Sequence, residues 1–315
     1  MDSCSIVILG NGFDVALGIP TRYSQFYENS QELREYANNG NALCQHILDN
    51  IRGDYWSDLE CGLYQYSLSL TQKYGEGNVE QSTRFKNEFF ELRTALFNYL
   101  QQVAGTIVDV EKQLPVFGLN IEWHVLQPQY LTFNYSINTA NTVSMNGRYI
   151  LNNDDTINEN RFIYQHGSIY DTKKCENRCP EDIVVGIDPN TQQVELAHSF
   201  LYKSQQRLRD LNSTIGSIRD KQLYIIYGCS IGDSDATYFR AVFNLFQYNK
   251  TYLIYGYGQN AIANIKSNIE KICKVNLEVL ESNNQVLFLD VTQVEDTRKK
   301  TQEIINNYLQ LMVKG

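Results

Sequence analysis

Short, continuous apolar runs alternate along most of the chain with longer segments in which apolar residues recur at helical spacing. Seven of these runs predict strands, at residues 6–9, 130–133, 162–165, 183–186, 223–227, 252–255 and 286–289. Strands that are apolar throughout are typical of a sheet that is buried on both faces. Together with the intervening helices, they predict an α/β fold with a Rossmann-like, mostly parallel sheet.

One long segment between the first two strands breaks this alternation. Residues 21–38, 42–52, 56–73 and 79–104 predict consecutive helices. Phe85, Phe89 and Leu92 belong to an apolar stripe on the last of them. The pattern predicts a Rossmann-like nucleotide-binding domain of residues 1–20 and 126–315, with a helical insertion or lid at 21–125. Further helices are predicted up to about residue 143, at 195–211, up to about 248, at 260–281 and at 297–313, with a hairpin or mobile loop at 146–160.

A glycine turn follows the first strand. Gly10 and Gly12 carry no Cβ, so the backbone can turn sharply there and lie against a ligand. A strand that leads through glycines into the start of a helix favours phosphate binding. The motif is half of the dinucleotide fingerprint, because Val15 stands where its third glycine is expected. A plain strand–turn is the alternative to a nucleotide site.

Polar residues also follow three later strands. Asn134 and His166 each follow a predicted strand, and the polar segment 228–235 follows the strand at 223–227. Ligands of open α/β sheets bind outside the carboxyl ends of the strands, so we expect these residues to share one site. Each also has a structural alternative, which is helix capping for Asn134 and the aspartates of 228–235 and a strand-end turn for His166.

Composition narrows the candidate functions. The net charge of −9 argues against general nucleic-acid binding, and no apolar run approaches the ~20 residues of a membrane span. Most of the seven cysteines lie in apolar stretches, and Cys175 and Cys179 lack the second pair that a structural zinc site needs, so no metal is expected. The chain opens directly into a strand without a signal peptide, and we expect a cytoplasmic protein.

Taken together, the motifs resemble the bacterial AbiH abortive-infection family. The resemblance rests on the segments 10–14, 18–21, 132–136, 166–168 and 228–235, and the segment 56–60 also fits. The same set is similar, more distantly, to the sirtuin NAD-binding fold, whose Asn, catalytic His and late Gly-x-Ser match Asn134, His166 and 228–230.

Three departures from the sirtuin pattern bear on the activity. Thr21 and Ser136 stand where sirtuins have aspartates, and the sirtuin four-cysteine zinc module is absent. The resemblance therefore implies simple NAD cleavage, to nicotinamide and ADP-ribose, rather than protein deacylation. By the same resemblance, the outcome would be NAD depletion and growth arrest during phage infection.

The resemblance also implies roles for individual residues. Asn134 would orient the ribose and a water, His166 would act as the base, and Asp14 is a secondary catalytic candidate. The implied NAD-binding residues are Gly10, Asn11, Gly12, Phe13, Thr21, Gly228, Ser230, Asp233 and Asp235. Such an enzyme must be restrained until it is triggered. A phage-derived trigger, a partner protein or assembly into a homo-oligomer could each provide this control.

Two other classes of function remain open. A non-catalytic sensor of NAD or a related nucleotide would keep the glycine turns and act through a partner or through self-assembly. A nuclease-type toxin would need a carboxylate cluster for Mg²⁺, for which Glu60, Asp233 and Asp235 are the candidates. The acidic charge makes the nuclease the least favoured. Trp56 and Glu60 also fit a core aromatic residue beside an ion-pair partner.

Overall fold

A parallel sheet forms the centre of the computed structural model, which describes residues 4–16, 18–50, 56–103, 126, 128–136, 162–169, 179–206, 211–219, 221–244 and 248–314. The strands are β1 (Ser5–Leu9), β2 (Gln129–Thr132), β3 (Phe162–Tyr164), β4 (Leu223–Tyr227), β5 (Thr251–Gly256) and β6 (Gln285–Asp290). Their order across the sheet is β3-β2-β1-β4-β5-β6, and all five pairings are parallel. This is the strand order of the doubly wound dinucleotide-binding fold. The predicted Rossmann-like α/β fold is confirmed.

Helices and short 3₁₀ turns connect the strands. The described α-helices are α1 (Gly12–Ala16), α2 (Tyr23–Asn29), α3 (Gln31–Asn38), α4 (Ala42–Asn50), α5 (Trp56–Tyr74), α6 (Val79–Val103), α7 (Leu211–Arg219), α8 (Ala236–Val242), α9 (Gly258–Cys273), α10 (Leu277–Asn283) and α11 (Val294–Lys314). The 3₁₀ turns are Pro180–Asp182, Leu196–Leu201, Lys203–Gln205 and Asp233–Asp235.

The central strand β1 shows why the sheet is apolar throughout. All of its residues are buried, and neighbouring side chains enter different cores. Ile6 and Ile8 pack with residues of α7, α8, α9 and α10, whereas Val7 and Leu9 pack with residues of α11. Because successive side chains of a strand point to opposite faces, both faces of the sheet are covered.

Helices α2 to α6 share a separate apolar core. Its members include Phe26, Leu63 and Phe85, together with Ile183 and Leu201 from the segment that follows β3. The helical segment is therefore packed against the part of the chain that follows β3. The division of the chain into a nucleotide-binding domain and a helical lid stays a prediction.

The predicted strand at 183–186 is wrong. Residues 183–185 are buried, but they form no ladder, and the segment joins Gly167 through a single bridge at Ile183. Ile183 and Val185 instead enter the core of the helical segment. The apolar run correctly indicates burial, but the segment belongs to a different layer.

The predicted helix at 195–211 is also wrong, because its first half consists of 3₁₀ turns. Backbone hydrogen bonds leave the segment for Ile187, whose N–H donates to Leu201 O at 2.9 Å and whose carbonyl accepts from Lys203 N at 3.0 Å. Residues 207–210 lie outside the described residues, and α7 begins at Leu211.

Three other predicted helices differ in their limits. The helix at 21–38 is divided at Ser30, whose N–H donates to Phe26 O at 2.9 Å and whose side chain accepts from Leu33 N at 3.2 Å. The helix at 260–281 is divided between α9, which ends at a left-handed Lys274, and α10, which Asn276 caps. The helix expected to reach about 248 ends at Val242. The predictions for 137–143 and 146–160, and Cys175, lie outside the described residues.

Candidate functional site

The polar residues predicted at the strand ends do meet at one edge of the sheet. Leu9, Thr132 and Tyr164 are register partners across β1, β2 and β3, and Asn11, Asn134 and His166 each lie two residues further on. Because the three strands are parallel and in register, these residues occupy one layer at the carboxyl edge. The neighbouring β1–β4 pair is the point at which the strand order reverses, where this fold class binds its ligands.

The glycines of the turn allow two backbones to touch. Gly12 N–H donates to Gly228 O at 2.9 Å, and Gly10 N–H donates to Tyr227 O at 2.9 Å. A Cβ on Gly10 would lie 2.4 Å from Gly228 O, and one on Gly228, where φ is +69°, would lie 2.4 Å from Phe13 N. The resemblance implies that Gly10 and Gly12 bind NAD, but their amide hydrogens are not free to do so, because β4 and its loop already accept them.

Three more predicted nucleotide contacts serve the fold around this turn. Phe13 is 1% exposed and meets Tyr227 edge to face at 6.1 Å between ring centroids, so its side chain belongs to the core. Thr21 donates from Oγ1 to Asn11 Oδ1 at 2.8 Å, and Asn11 Nδ2 donates to Thr21 O at 3.0 Å.

A buried carboxyl lies behind the turn, in a group we call the Asp14 cluster (Asp14, Thr21, Asn134 and Ser136). Asn134 Nδ2 donates to Asp14 Oδ1 at 3.3 Å, and Ser136 Oγ donates to Asp14 Oδ2. Burial raises the pKa of Asp14 to about 7, although hydrogen bonds from Ser136, Thr21 and Asn134 oppose the rise. The Asp14 carboxyl therefore titrates near neutral pH.

Among the described residues, only one of the two polar atoms in the side-chain amide of Asn134 has a hydrogen-bond partner. Its Nδ2 serves Asp14, but among the described residues no donor reaches Oδ1, although Asn134 is 2% exposed. A buried carbonyl oxygen without a donor costs about 1–3 kcal/mol. This atom is consequently ready to accept a hydrogen bond from a bound molecule.

A second group, which we call the His166 cluster, contains His166, Asp235, Lys203 and Glu60. His166 Nε2 lies 2.9 Å from Asp235 Oδ1. Lys203 Nζ lies 3.1 Å from the same oxygen, 3.3 Å from His166 Nε2 and 2.6 Å from Glu60 Oε1. Glu60 comes from α5, so the helical segment contributes one residue to this cluster.

Opposite charges hold the His166 cluster together. Burial alone would raise the pKa of Asp235, but the Lys203 ammonium and His166 hold it well below its usual range. Burial alone would lower the pKa of Lys203, and Asp235 and Glu60 raise it above its ordinary value instead. Burial raises the pKa of Glu60, with Lys203 opposing the rise. Lys203 is thus an ammonium between two acids.

Aromatic rings from the end of β2 fix the imidazole of His166. The Phe133 ring meets it edge to face at 5.2 Å, and the Tyr135 ring lies 5.9 Å away at 31°. Tyr135 Oη donates to Val184 O at 2.8 Å, and His166 O accepts from Val184 N at 2.8 Å. Residues 133–136 therefore connect the two clusters.

The loop after β4 contributes one of its polar side chains to the clusters. Asp235, predicted to bind NAD, instead contacts His166 and Lys203. Ser230 and Asp233 are exposed, and their carbonyls accept from Asn268 Nδ2 at 2.9 Å and from Thr191 Oγ1 at 3.1 Å. The side chain of Trp56 lies outside the described residues.

Lys203 is the member of the site that sequence reasoning missed. Its partners lie far away in sequence, and the predicted helix at 195–211 gave no reason to single it out. It also bears on the nuclease hypothesis, because its ammonium occupies the space between Glu60 and Asp235 and the third candidate, Asp233, is exposed. Across the described ranges, no group of three His, Cys, Asp or Glu residues is arranged to hold a metal ion.

A second buried histidine was also missed. Ser67 Oγ lies 2.9 Å from His198 Nδ1, and His198 Nε2 lies 3.1 Å from Glu195 Oε1. Glu195 Oε2 accepts from Gly77 N at 2.7 Å. Ser67 is 0% exposed and His198 1% exposed, so this serine–histidine–glutamate group ties α5 to the 3₁₀ turn at Leu196–Leu201 and cannot meet a substrate.

The fold and the two clusters define a Rossmann-like α/β protein with a buried polar site beside the switch point of its sheet. Residues 6–257 match the family model described as "Bacteriophage abortive infection AbiH", and the chain belongs to this family. The match spans β1 to β5 and the helical segment, and it places the chain in bacterial phage abortive infection. The comparison with curated proteins gave no match. None of the described helices is long and apolar enough to cross a membrane.

Proposed function

We propose that this AbiH-family chain hydrolyses the nicotinamide–ribose bond of NAD at the carboxyl edge of its sheet. The observation that carries the proposal is the His166–Asp235 pair, 2.9 Å apart, which shares one layer with Asn134 Oδ1, an atom that no donor among the described residues reaches. An oriented imidazole beside a buried acceptor is what a reaction needs when a water must be both held and deprotonated.

His166 is the base in this proposal. Asp235 accepts from His166 Nε2, so the neutral ring carries its proton on Nε2 and keeps Nδ1 as the basic nitrogen. The attacking water forms a bond to C1′ of the ribose while the C1′–N bond breaks, and nicotinamide leaves with that electron pair. The proton lost by the water passes to Nδ1 of His166. The products are nicotinamide and ADP-ribose.

The Asp14 cluster orients the ribose and stabilises the positive charge that develops on it during cleavage. Oδ1 of Asn134 accepts from a ribose hydroxyl or from the attacking water, since no donor within the described part of the chain reaches this buried atom. Cleavage at C1′ passes through an oxocarbenium-like transition state. Asp14, whose pKa burial raises to about 7, supplies negative charge toward it once deprotonated.

We do not assign the diphosphate of NAD to the glycine amides. Since Gly10 and Gly12 donate to β4 and its loop, the exposed Ser230 is the side chain that we assign to a phosphate or to the adenosine ribose. The glycines keep a role in this proposal, because they bring the β1 and β4 loops into direct contact at the switch point.

Asn134→Ala tests the proposal. We expect nicotinamide release to fall by about 10²–10⁴-fold, while NAD affinity measured by calorimetry changes little because the diphosphate contacts lie elsewhere. Asn98→Ala is the control, since Asn98 Nδ2 donates to Glu32 Oε2 within the helical segment at 2.8 Å. Wild-type turnover in Asn134→Ala, or equal losses in both variants, would contradict the proposal.

A non-catalytic sensor is the second candidate, and Glu60 is the observation that favours it. This residue of α5 joins Lys203 at 2.6 Å, so a nucleotide bound at the strand ends would be linked directly to the helical segment. The sensor predicts NAD binding with no release of nicotinamide, and a change in the protease sensitivity of residues 21–125 when NAD is added.

A further inference from the structure

Lys203 extends from a segment whose backbone is fixed. Ile187 N–H donates to Leu201 O at 2.9 Å, and Lys203 N–H donates to Ile187 O at 3.0 Å. The side-chain amide of Gln206 binds the same neighbouring segment, with Nε2 donating to Val185 O at 2.7 Å and Oε1 accepting from Val185 N at 3.2 Å. The backbone that carries Lys203 is therefore held on both sides of the residue.

The far end of the Lys203 side chain is also held. This side chain is 4% exposed, and its Nζ lies 2.6 Å from Glu60 Oε1 and 3.1 Å from Asp235 Oδ1. The contact with Glu60 forms whether or not that carboxyl carries a proton, because a protonated carboxyl keeps an acceptor oxygen. Nζ is thus fixed from one side by Glu60 and donates to Asp235 on the other.

One oxygen of Asp235 joins Lys203 to His166. Asp235 Oδ1 lies 3.1 Å from Lys203 Nζ and 2.9 Å from His166 Nε2. Burial alone would raise the pKa of Asp235, but Lys203 and His166 hold it well below its usual range, so Asp235 is a carboxylate. A carboxylate oxygen and a ring nitrogen 2.9 Å apart need a proton between them, and the ring must supply it. Nε2 of His166 is therefore a donor.

We propose that Lys203 is a positioning residue, which holds the Asp235 carboxylate against His166 and thereby keeps the proton of the neutral ring on Nε2. Without the ammonium, a carboxylate that little water reaches either turns toward solvent or takes up a proton. Both changes weaken its acceptance from His166, and Nδ1 is then no longer fixed as the basic nitrogen. The catalytic consequence rests on the proposed function, whereas the hydrogen bond between Asp235 and His166 does not.

The ring N–H proton of His166 tests the positioning in the full chain without any nucleotide. It is observed by NMR at about pH 8, where an ordinary histidine is neutral, and His166→Gln assigns its resonance. A proton held by a buried carboxylate exchanges slowly with water, so we expect a resonance in the wild type. Lys203→Met keeps a long side chain without the ammonium, and we expect the resonance to be lost. His198, whose Nε2 lies 3.1 Å from Glu195 Oε1, provides a reference resonance that should not change.

Lys221→Met is the matched control. Lys221 is also a buried lysine, but it precedes β4 and so lies toward the opposite edge of the sheet from His166. Its replacement should leave the His166 resonance in place. If Lys203→Met does not fold, Lys203→Met combined with Glu60→Gln removes the ammonium together with an acid that it contacts, and should lose the resonance as well. A His166 resonance that persists in the Lys203 variants, or that is absent from the wild type, would overturn the proposal.

Activity separates this inference from the proposed function. Lys203→Met should lower kcat for nicotinamide release by about 10²-fold at unchanged KM, and it should cost nothing further in a chain that already carries Asp235→Asn. Losses that add in the double variant would contradict an action of Lys203 through Asp235. A chain that loses the resonance in Lys203→Met but never cleaves NAD contradicts only NAD hydrolysis. A chain that cleaves NAD and keeps the resonance in Lys203→Met contradicts only the positioning by Lys203.

Discussion

Gly10→Ala should destabilise the chain even when no ligand is present. The added Cβ would lie 2.4 Å from Gly228 O and 2.8 Å from the Cα of Cys229. Both are backbone atoms, and they are held close because Gly10 N–H donates to Tyr227 O at 2.9 Å. Overpacking of this kind costs about 1–3 kcal/mol, and we expect the upper end because backbone cannot move aside as a side chain can.

The assay is urea unfolding followed by circular dichroism, in which the midpoint should fall while the slope is unchanged. Gly216→Ala is the control, because nothing lies within 4 Å of its added Cβ and it is inside α7. That change should stabilise the chain by about 0.5–1 kcal/mol. A Gly10→Ala chain as stable as wild type would refute the reasoning, since the glycine would then matter only for ligand approach.

Two further predictions concern buried polar groups. Because burial raises the pKa of Asp14 from 3.8 to about 7, the folded chain keeps a proton that the unfolded chain releases, so wild-type stability falls as pH rises between those values. Asp14→Asn should flatten this decline when unfolding is compared at several pH values, and an equally steep decline in the variant would contradict the assignment. Ser67→Ala leaves His198 Nδ1 without the hydroxyl 2.9 Å away and should cost about 1–3 kcal/mol of stability with no loss of NAD turnover. Turnover that fell with Ser67→Ala would mean that this buried group takes part in the chemistry.

The strands of the sheet could be predicted from the sequence because they are buried on both faces. A continuous apolar run such as that of β4, with every residue buried, indicates a strand of a parallel sheet when helices flank it. The run at 183–185 is equally buried, but it packs into the helical core. An apolar run in the sequence indicates that a segment is buried, but it does not show whether the segment belongs to the sheet or to the helical core.

Two residues of the site could be predicted from the sequence for a related reason. Asn134 and His166 directly follow strands, and parallel strands bring their carboxyl ends together. Lys203 had no such signal, since its contacts with Glu60, His166 and Asp235 join residues distant in sequence. The contact that Gly10 and Gly12 allow between the β1 and β4 loops could not be predicted either. Glycines in a motif indicate that something approaches the backbone closely, but they do not show whether it is a ligand or another segment of the chain.

Free nicotinamide, measured by chromatography after the full chain is incubated with NAD, tests the central claim most directly. We expect nicotinamide and ADP-ribose in equal amounts from the wild-type chain, and about 10²–10⁴-fold less from His166→Ala at unchanged NAD affinity. NAD that is bound but left whole by the wild-type chain, or a His166→Ala chain that cleaves NAD at the wild-type rate, would contradict the account.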